Sequence, residues 1–192
     1  MASKPQPTIY TVGHSTHPID DFIQILKAHG ISQLADIRTI PKSRHNPQFN
    51  REVLSASLKA AGIQYRNLPG LGGLRKPVRN SINTAWRNAS FRGYADYMQT
   101  AAFCKNLDEL IALASAAPTA IMCAEAVPWR CHRSLVGDAL TARDVQVFDI
   151  LSETKAQPHS LTSFARVEGD RVTYPSEHNL QNPQLDFDRS AH

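Results

Sequence analysis

Along the chain, short runs of consecutive branched apolar residues alternate with stretches in which apolar residues recur every three or four positions. The first spacing predicts buried strands and the second amphipathic helices. Residues 8–12 form the first run, Gly13-His14-Ser15-Thr16 follow, and Ile19, Phe22, Ile23 and Leu26 then make one stripe of a helix over 18–29 that Gly30 ends. The same phrase returns with a strand at 34–37 and a helix lined by Val53, Leu54, Leu58 and Ala61, with Asn50 as its N-cap and Gly62 after it. Further strands are predicted at 63–68, 119–123 and 145–150. Tyr94, Tyr97, Met98, Ala101 and Ala102 mark one helix between the third and fourth strands, and Leu107, Leu110, Ile111 and Ala114 mark another. The helix after the fourth strand carries Cys131, Leu135, Val136, Ala139 and Leu140 on one stripe.

Strands separated by helices require crossovers, so the expected fold is α/β: an open, mostly parallel sheet of about five strands with helices on both faces. A short C-terminal hairpin is expected to turn at Glu168-Gly169-Asp170. Residues 1–175 read as one domain, and 176–192 as a polar, mobile tail. The connection after the third strand is too long for a structureless loop and is expected to be a functional excursion with short helices of its own.

With 192 residues, 42% hydrophobic and 20% charged, the chain is long enough for one core and excludes collagen, a largely disordered chain and a disulfide miniprotein. No apolar run approaches the roughly 20 residues that cross a bilayer, and residues 1–8 contain no apolar signal segment. A cytoplasmic protein without membrane partners is expected. Its three cysteines are an odd number, consistent with reduced thiols.

Charge changes this picture. Residues 1–100 carry 13 Lys+Arg against 5 Asp+Glu, and 101–192 carry 8 against 12, so the halves stand at +8 and −4. Within about 38–92, eleven cations face one acid, Glu52. Such a field favours an anionic small molecule or a nucleic acid, and its alternative is a basic face that only solvates the protein. Trp86, Phe91 and Tyr94 lie among these cations, where they either stack on bases or anchor a helix to the core.

Ligands of open α/β sheets bind beyond the carboxyl ends of the strands. That edge gathers His14 and Ser15 after the first strand, Arg38 after the second, Gly72 and Gly73 after the third, and Cys123 with Glu125 after the fourth. Cys131, His132 and Arg133 open the next helix. Thr11-Val12-Gly13-His14-Ser15, Asp36-Ile37-Arg38 with Pro41 and Ser43, Leu71-Gly72-Gly73, Cys123-Ala124-Glu125 and Cys131-His132-Arg133 resemble, in this order, the family known as domain of unknown function 488. The resemblance spans about residues 8–175. It implies an α/β fold and a set of recurrent residues, and it carries no agreed reaction.

Cys123, at a strand end before a loop and helix, also resembles the placement in rhodaneses and cysteine phosphatases, where a thiolate sits in a cradle of backbone N–H groups beside a helix N-terminus. Six residues separate it from Arg130, one more than in those phosphatases, and Pro128 removes one donor. The functional reading is a nucleophile, with Glu125 and His14 as general acid–base candidates. Ser15, Arg38, Lys42, Arg44, Gly72, Gly73, Cys131, His132 and Arg133 would hold an anionic group. The structural alternatives are a buried strand cysteine, a loop-fixing ion pair for Glu125, a packed Cys131 and a helix start exposed at His132 and Arg133. Cys123, Cys131, His132, His14 and Glu125 also have metal donors, but without close paired spacing. The motifs call for no cofactor. The reading is thus a thiol-dependent enzyme for a phosphate-containing or other anionic substrate, with nucleic-acid binding and metal binding as alternatives.

Overall fold

The computed structural model describes residues 6–176, so nearly all of the polar tail lies outside the described residues. Five strands, β1 (Thr8–Gly13), β2 (Gln33–Asp36), β3 (Gln64–Asn67), β4 (Thr119–Cys123) and β5 (Gln146–Ser152), form the parallel part of the sheet. A sixth, β6 (Lys155–Pro158), adds antiparallel to β5, giving the order β3-β2-β4-β1-β5-β6. The sequence pattern does not reveal β6, because Lys-Ala-Gln-Pro is a polar edge strand held by main-chain pairing rather than by apolar burial. The expected hairpin is present as β7 (Arg166–Glu168) and β8 (Arg171–Thr173), turning at Gly169 with φ +58°.

Helices α1 (Ile19–Ala28) and α2 (Arg51–Ala60) cover one face with Phe22, Leu26, Leu54 and Leu58. The other face carries α3 (Ala89–Tyr97), α4 (Ala101–Ala116) and α5 (Arg133–Thr141). Ala101 and Ala102 thus belong to α4 and not to the helix of Tyr94 and Tyr97. Thr100 separates the two, accepting a hydrogen bond from Phe103 N–H as N-cap. Asn50 precedes α2 as read from the sequence, but its side-chain oxygen accepts from Ser43 N–H and so ties down the basic loop.

The C-terminal segment decides the environment of α5. Every residue from 133 to 140 is buried, including Asp138. A buried carboxylate must be paired, and Asp138 accepts from His159 Nε2 (3.0 Å), Tyr174 Oη (2.7 Å) and Thr162 N–H (3.1 Å). The other His159 nitrogen faces Asp149 at 3.0 Å, and Thr11 also donates to Asp149. Burial works against a charged ring, yet the hydrogen bonds to Asp138 and Asp149 raise His159 to about 9. Residues 155–174 are thereby pinned across α5 by an imidazolium between two carboxylates.

A raised folded pKa contributes stability that is complete below the unfolded value of 6.5 and is lost as pH rises through about 9. His159→Gln is therefore expected to cost about 3 kcal/mol at pH 6. The gap between wild type and variant should narrow steadily toward pH 9.5, as measured by urea unfolding at a series of pH values.

Candidate active site

Gly13 at the end of β1 lies opposite Cys123 at the end of β4, and the pairing continues past both strands. His14 N–H donates to the Cys123 carbonyl and Ser15 N–H to that of Ala124, each at 3.0 Å. From this edge β1 leads through α1 to β2 over one face, while β4 leads through α5 to β5 over the other. Neighbouring strands whose connections diverge leave a crevice at their carboxyl ends. Here it is a cleft of about 730 Å³ with Cys123, Cys131 and His132 in its lining.

Arg133 controls the chemistry of Cys123. Its side chain has no exposed surface, and Nη1 donates to Cys123 Sγ at 2.7 Å and to the Glu125 carbonyl at 2.5 Å. Nη2 donates to the Ala126 carbonyl at 2.9 Å. Among the described residues no carboxylate lies within ion-pair distance of this guanidinium. Burial alone would push the Cys123 thiol up, but a hydrogen bond from Cys131 and the charge and hydrogen bond of Arg133 outweigh it and hold Cys123 at about 7. Cys131 moves the opposite way: its hydrogen bond to Cys123 and its burial keep it protonated. The positive field at Cys123 thus comes from a side chain. The loop is not the expected ring of inward N–H groups, since the Glu125 and Ala126 carbonyls point at Arg133.

The opposite wall is a second network. Asp36 holds Arg38 through both carboxylate oxygens, accepting from Nε at 2.9 Å and Nη2 at 2.6 Å, and Nη2 also donates to the Phe49 carbonyl. His14 stacks on Phe49 at 4.1 Å and hydrogen-bonds the Ser15 carbonyl through Nδ1, which therefore carries the proton. Its Nε2 lone pair accepts from Arg38 Nη1 at 3.2 Å. Burial pushes His14 down to about 4, so the ring is neutral at pH 7.

His14, Ser15, Arg38, Lys42, Gly73, Cys123, Glu125, Cys131 and His132 all line the cleft. Arg133 lies beneath its floor, buried rather than exposed at a helix start. Glu125 is exposed and free of ion pairs among the described residues; Arg133 touches its carbonyl, not its carboxylate. Arg44 and Gly72 fall outside the lining. A Cβ on Gly73 would stand 2.5 Å from His132 Nδ1, so this glycine is explained by a packed imidazole. Trp86 stacks on Phe91 at 4.8 Å and packs against Tyr174, and Tyr94 is fully buried, so these two rings anchor the excursion to the core. Among the described residues no three His, Cys, Asp or Glu side chains converge as a metal site. Arg130, missed as a ligand by the sequence reading, lines the cleft and is exposed. Its signal was its place at the end of the Cys123 loop.

A family model described as "Domain of unknown function DUF488" matches residues 18–140. No curated protein matches the chain, and no solved structure does.

Iodoacetamide should alkylate Cys123 with a rate that rises through a midpoint near pH 7. Arg133→Met is expected to move that midpoint toward the ordinary thiol value near 8.5, as read by mass mapping of the alkylated peptide.

Proposed function

The chain belongs to the DUF488 family, whose description names no reaction, and from the site itself we propose a thiol-dependent hydrolase or transferase acting on an anionic, phosphate-type substrate. The observation that carries this reading is a fully buried Arg133 that donates to the Cys123 sulfur and has no carboxylate partner among the described residues. The hydrogen bond from Cys131 and the buried guanidinium together favour the thiolate, the nucleophilic form of Cys123. Among the described residues, Lys42 and Arg130 are the exposed cations of the cleft lining, and Glu125 is its lone acid. The two cations favour an anionic group lodged above Cys123.

In this reading the Cys123 sulfur attacks phosphorus. A thiophosphoryl bond forms as the ester P–O bond breaks, and Glu125 gives its proton to the leaving oxygen. Water, or an acceptor hydroxyl, then gives a proton back to Glu125 while its oxygen displaces sulfur, returning the thiolate. Lys42 and Arg130 neutralise the phosphoryl oxygens. His14 serves as a neutral prop: its Nε2 holds Arg38 and its ring packs on Phe49.

Steady-state turnover of an aryl phosphate monoester, with protection of Cys123 from alkylation by inorganic phosphate, tests this reading. Cys123→Ser should abolish turnover, and Glu125→Gln should lower kcat on the order of 10²-fold. Lys42→Ala and Arg130→Ala should each raise KM about tenfold or more, the worth of a charge-assisted hydrogen bond. Full activity in Cys123→Ser, or no protection by phosphate, would overturn it.

A further inference from the structure

The thiolate reading gives Cys131 no chemical step of its own. Cys131 is buried and lines the same cleft as Cys123. The Arg133 main chain donates to Cys131 Sγ at 3.5 Å while its guanidinium holds Cys123 at 2.7 Å, so one residue sets both sulfurs. His132 Nδ1 stands 3.5 Å from Cys131 Sγ, on a ring that burial keeps neutral. The arrangement therefore places two thiols in one cleft, both hydrogen-bonded to Arg133, with an imidazole nitrogen beside the second sulfur. The third cysteine, Cys104, sits on α4 outside the lining.

We infer that Cys123 and Cys131 form a reversible redox dithiol, oxidised by small hydroperoxides that enter the cleft. This rests on the ionised Cys123 of the proposed function and adds a partner to it. In the first step the Cys123 thiolate attacks one oxygen of the hydroperoxide and the O–O bond breaks. The released alkoxide or hydroxide takes a proton from solvent, leaving a sulfenic acid on Cys123. In the second step the Cys131 sulfur attacks the Cys123 sulfur. The S–S bond forms, the S–O bond breaks, and the hydroxyl leaves with the Cys131 proton as water. Two electrons pass from the two thiols to the peroxide, and an added dithiol returns them. Cys131 in this scheme shields Cys123 from irreversible oxidation, because the sulfenic acid is consumed by a sulfur held in the same cleft by the same arginine.

Trypsin cleaves after Lys105, Arg130 and Arg133, so the disulfide would join peptide 106–130 to the short peptide 131–133. Purified wild-type protein treated with about one equivalent of hydrogen peroxide and mapped by mass spectrometry should show that linked pair. Free thiols should fall from three to one per chain, with Cys104 still free, and dithiothreitol should restore all three. In Cys131→Ser and Cys131→Ala the same treatment should leave Cys123 as sulfenic acid, advancing to sulfinic acid with excess peroxide. Wild-type protein that yields sulfinic Cys123 and no linked peptide would overturn the inference. Alkylation without peroxide separates the two readings. If Cys123 reacts ahead of Cys104 near pH 7 yet no disulfide forms, the dithiol fails and the nucleophile stands. If Cys123 does not react ahead of Cys104, both fall.

Discussion

Arg133 carries a full positive charge with none of its surface exposed, and its guanidinium rests on one sulfur and two carbonyls. Taking such an ion out of water costs several kcal/mol even after relaxation, so everything around it is arranged to recover that cost. The 124–126 loop turns two of its carbonyls toward the guanidinium rather than presenting N–H groups to the cleft. Gly13 has no side chain because a Cβ there would lie 1.8 Å from the Glu125 oxygen and 2.8 Å from Arg133 Nη1. Cys123 supplies the remaining negative charge when it ionises. A single buried cation thus shapes the ends of β1 and β4, the loop between β4 and α5, and the acidity of the thiol.

Two flanking networks leave that cation to the sulfur. On one side Asp36 is spent on Arg38, with Tyr65 Oη donating to the same carboxylate at 2.8 Å. On the other side Asp138 and Asp149 are spent on His159, although Asp149 still feels the Arg133 charge. Neither network offers Arg133 a carboxylate, and the first places His14 and Arg38 in the cleft lining. The excursion is fixed in the same way: Asp96 accepts from Val78 N–H, Ser81 Oγ and Asn83 Nδ2, and Trp86 packs among Phe91, Phe164 and Tyr174. Arg75 lies 3.6 Å over the Tyr97 ring and donates to the Gly70 and Gly72 carbonyls. Part of the basic excess read from the sequence is therefore structural, while Lys42 and Arg130 face the cleft.

Periodicity determined the parallel strands, the helices between them and the edge at which polar residues collect, because central strands buried on both faces demand apolar runs, while the edge strand β3, Gln-Tyr-Arg-Asn, is marked only by the buried Ile63 and Leu68 that flank it. It also brought Cys123, His14 and Arg38 to one edge, since strand ends of a parallel sheet point the same way. Strand β6 and the partners of single side chains escaped it. Arg133 read as an anion-holding residue at a helix start, and only the meeting of α5 with the end of β4 and the 124–126 loop buries its guanidinium on Cys123. The pairing of Arg38 with Asp36, of Cys131 with Cys123 and of His159 with two aspartates likewise depends on which elements meet. Local sequence encodes the spacing of one element's residues, whereas the protonation and charge of a buried group follow from neighbours contributed by distant parts of the chain.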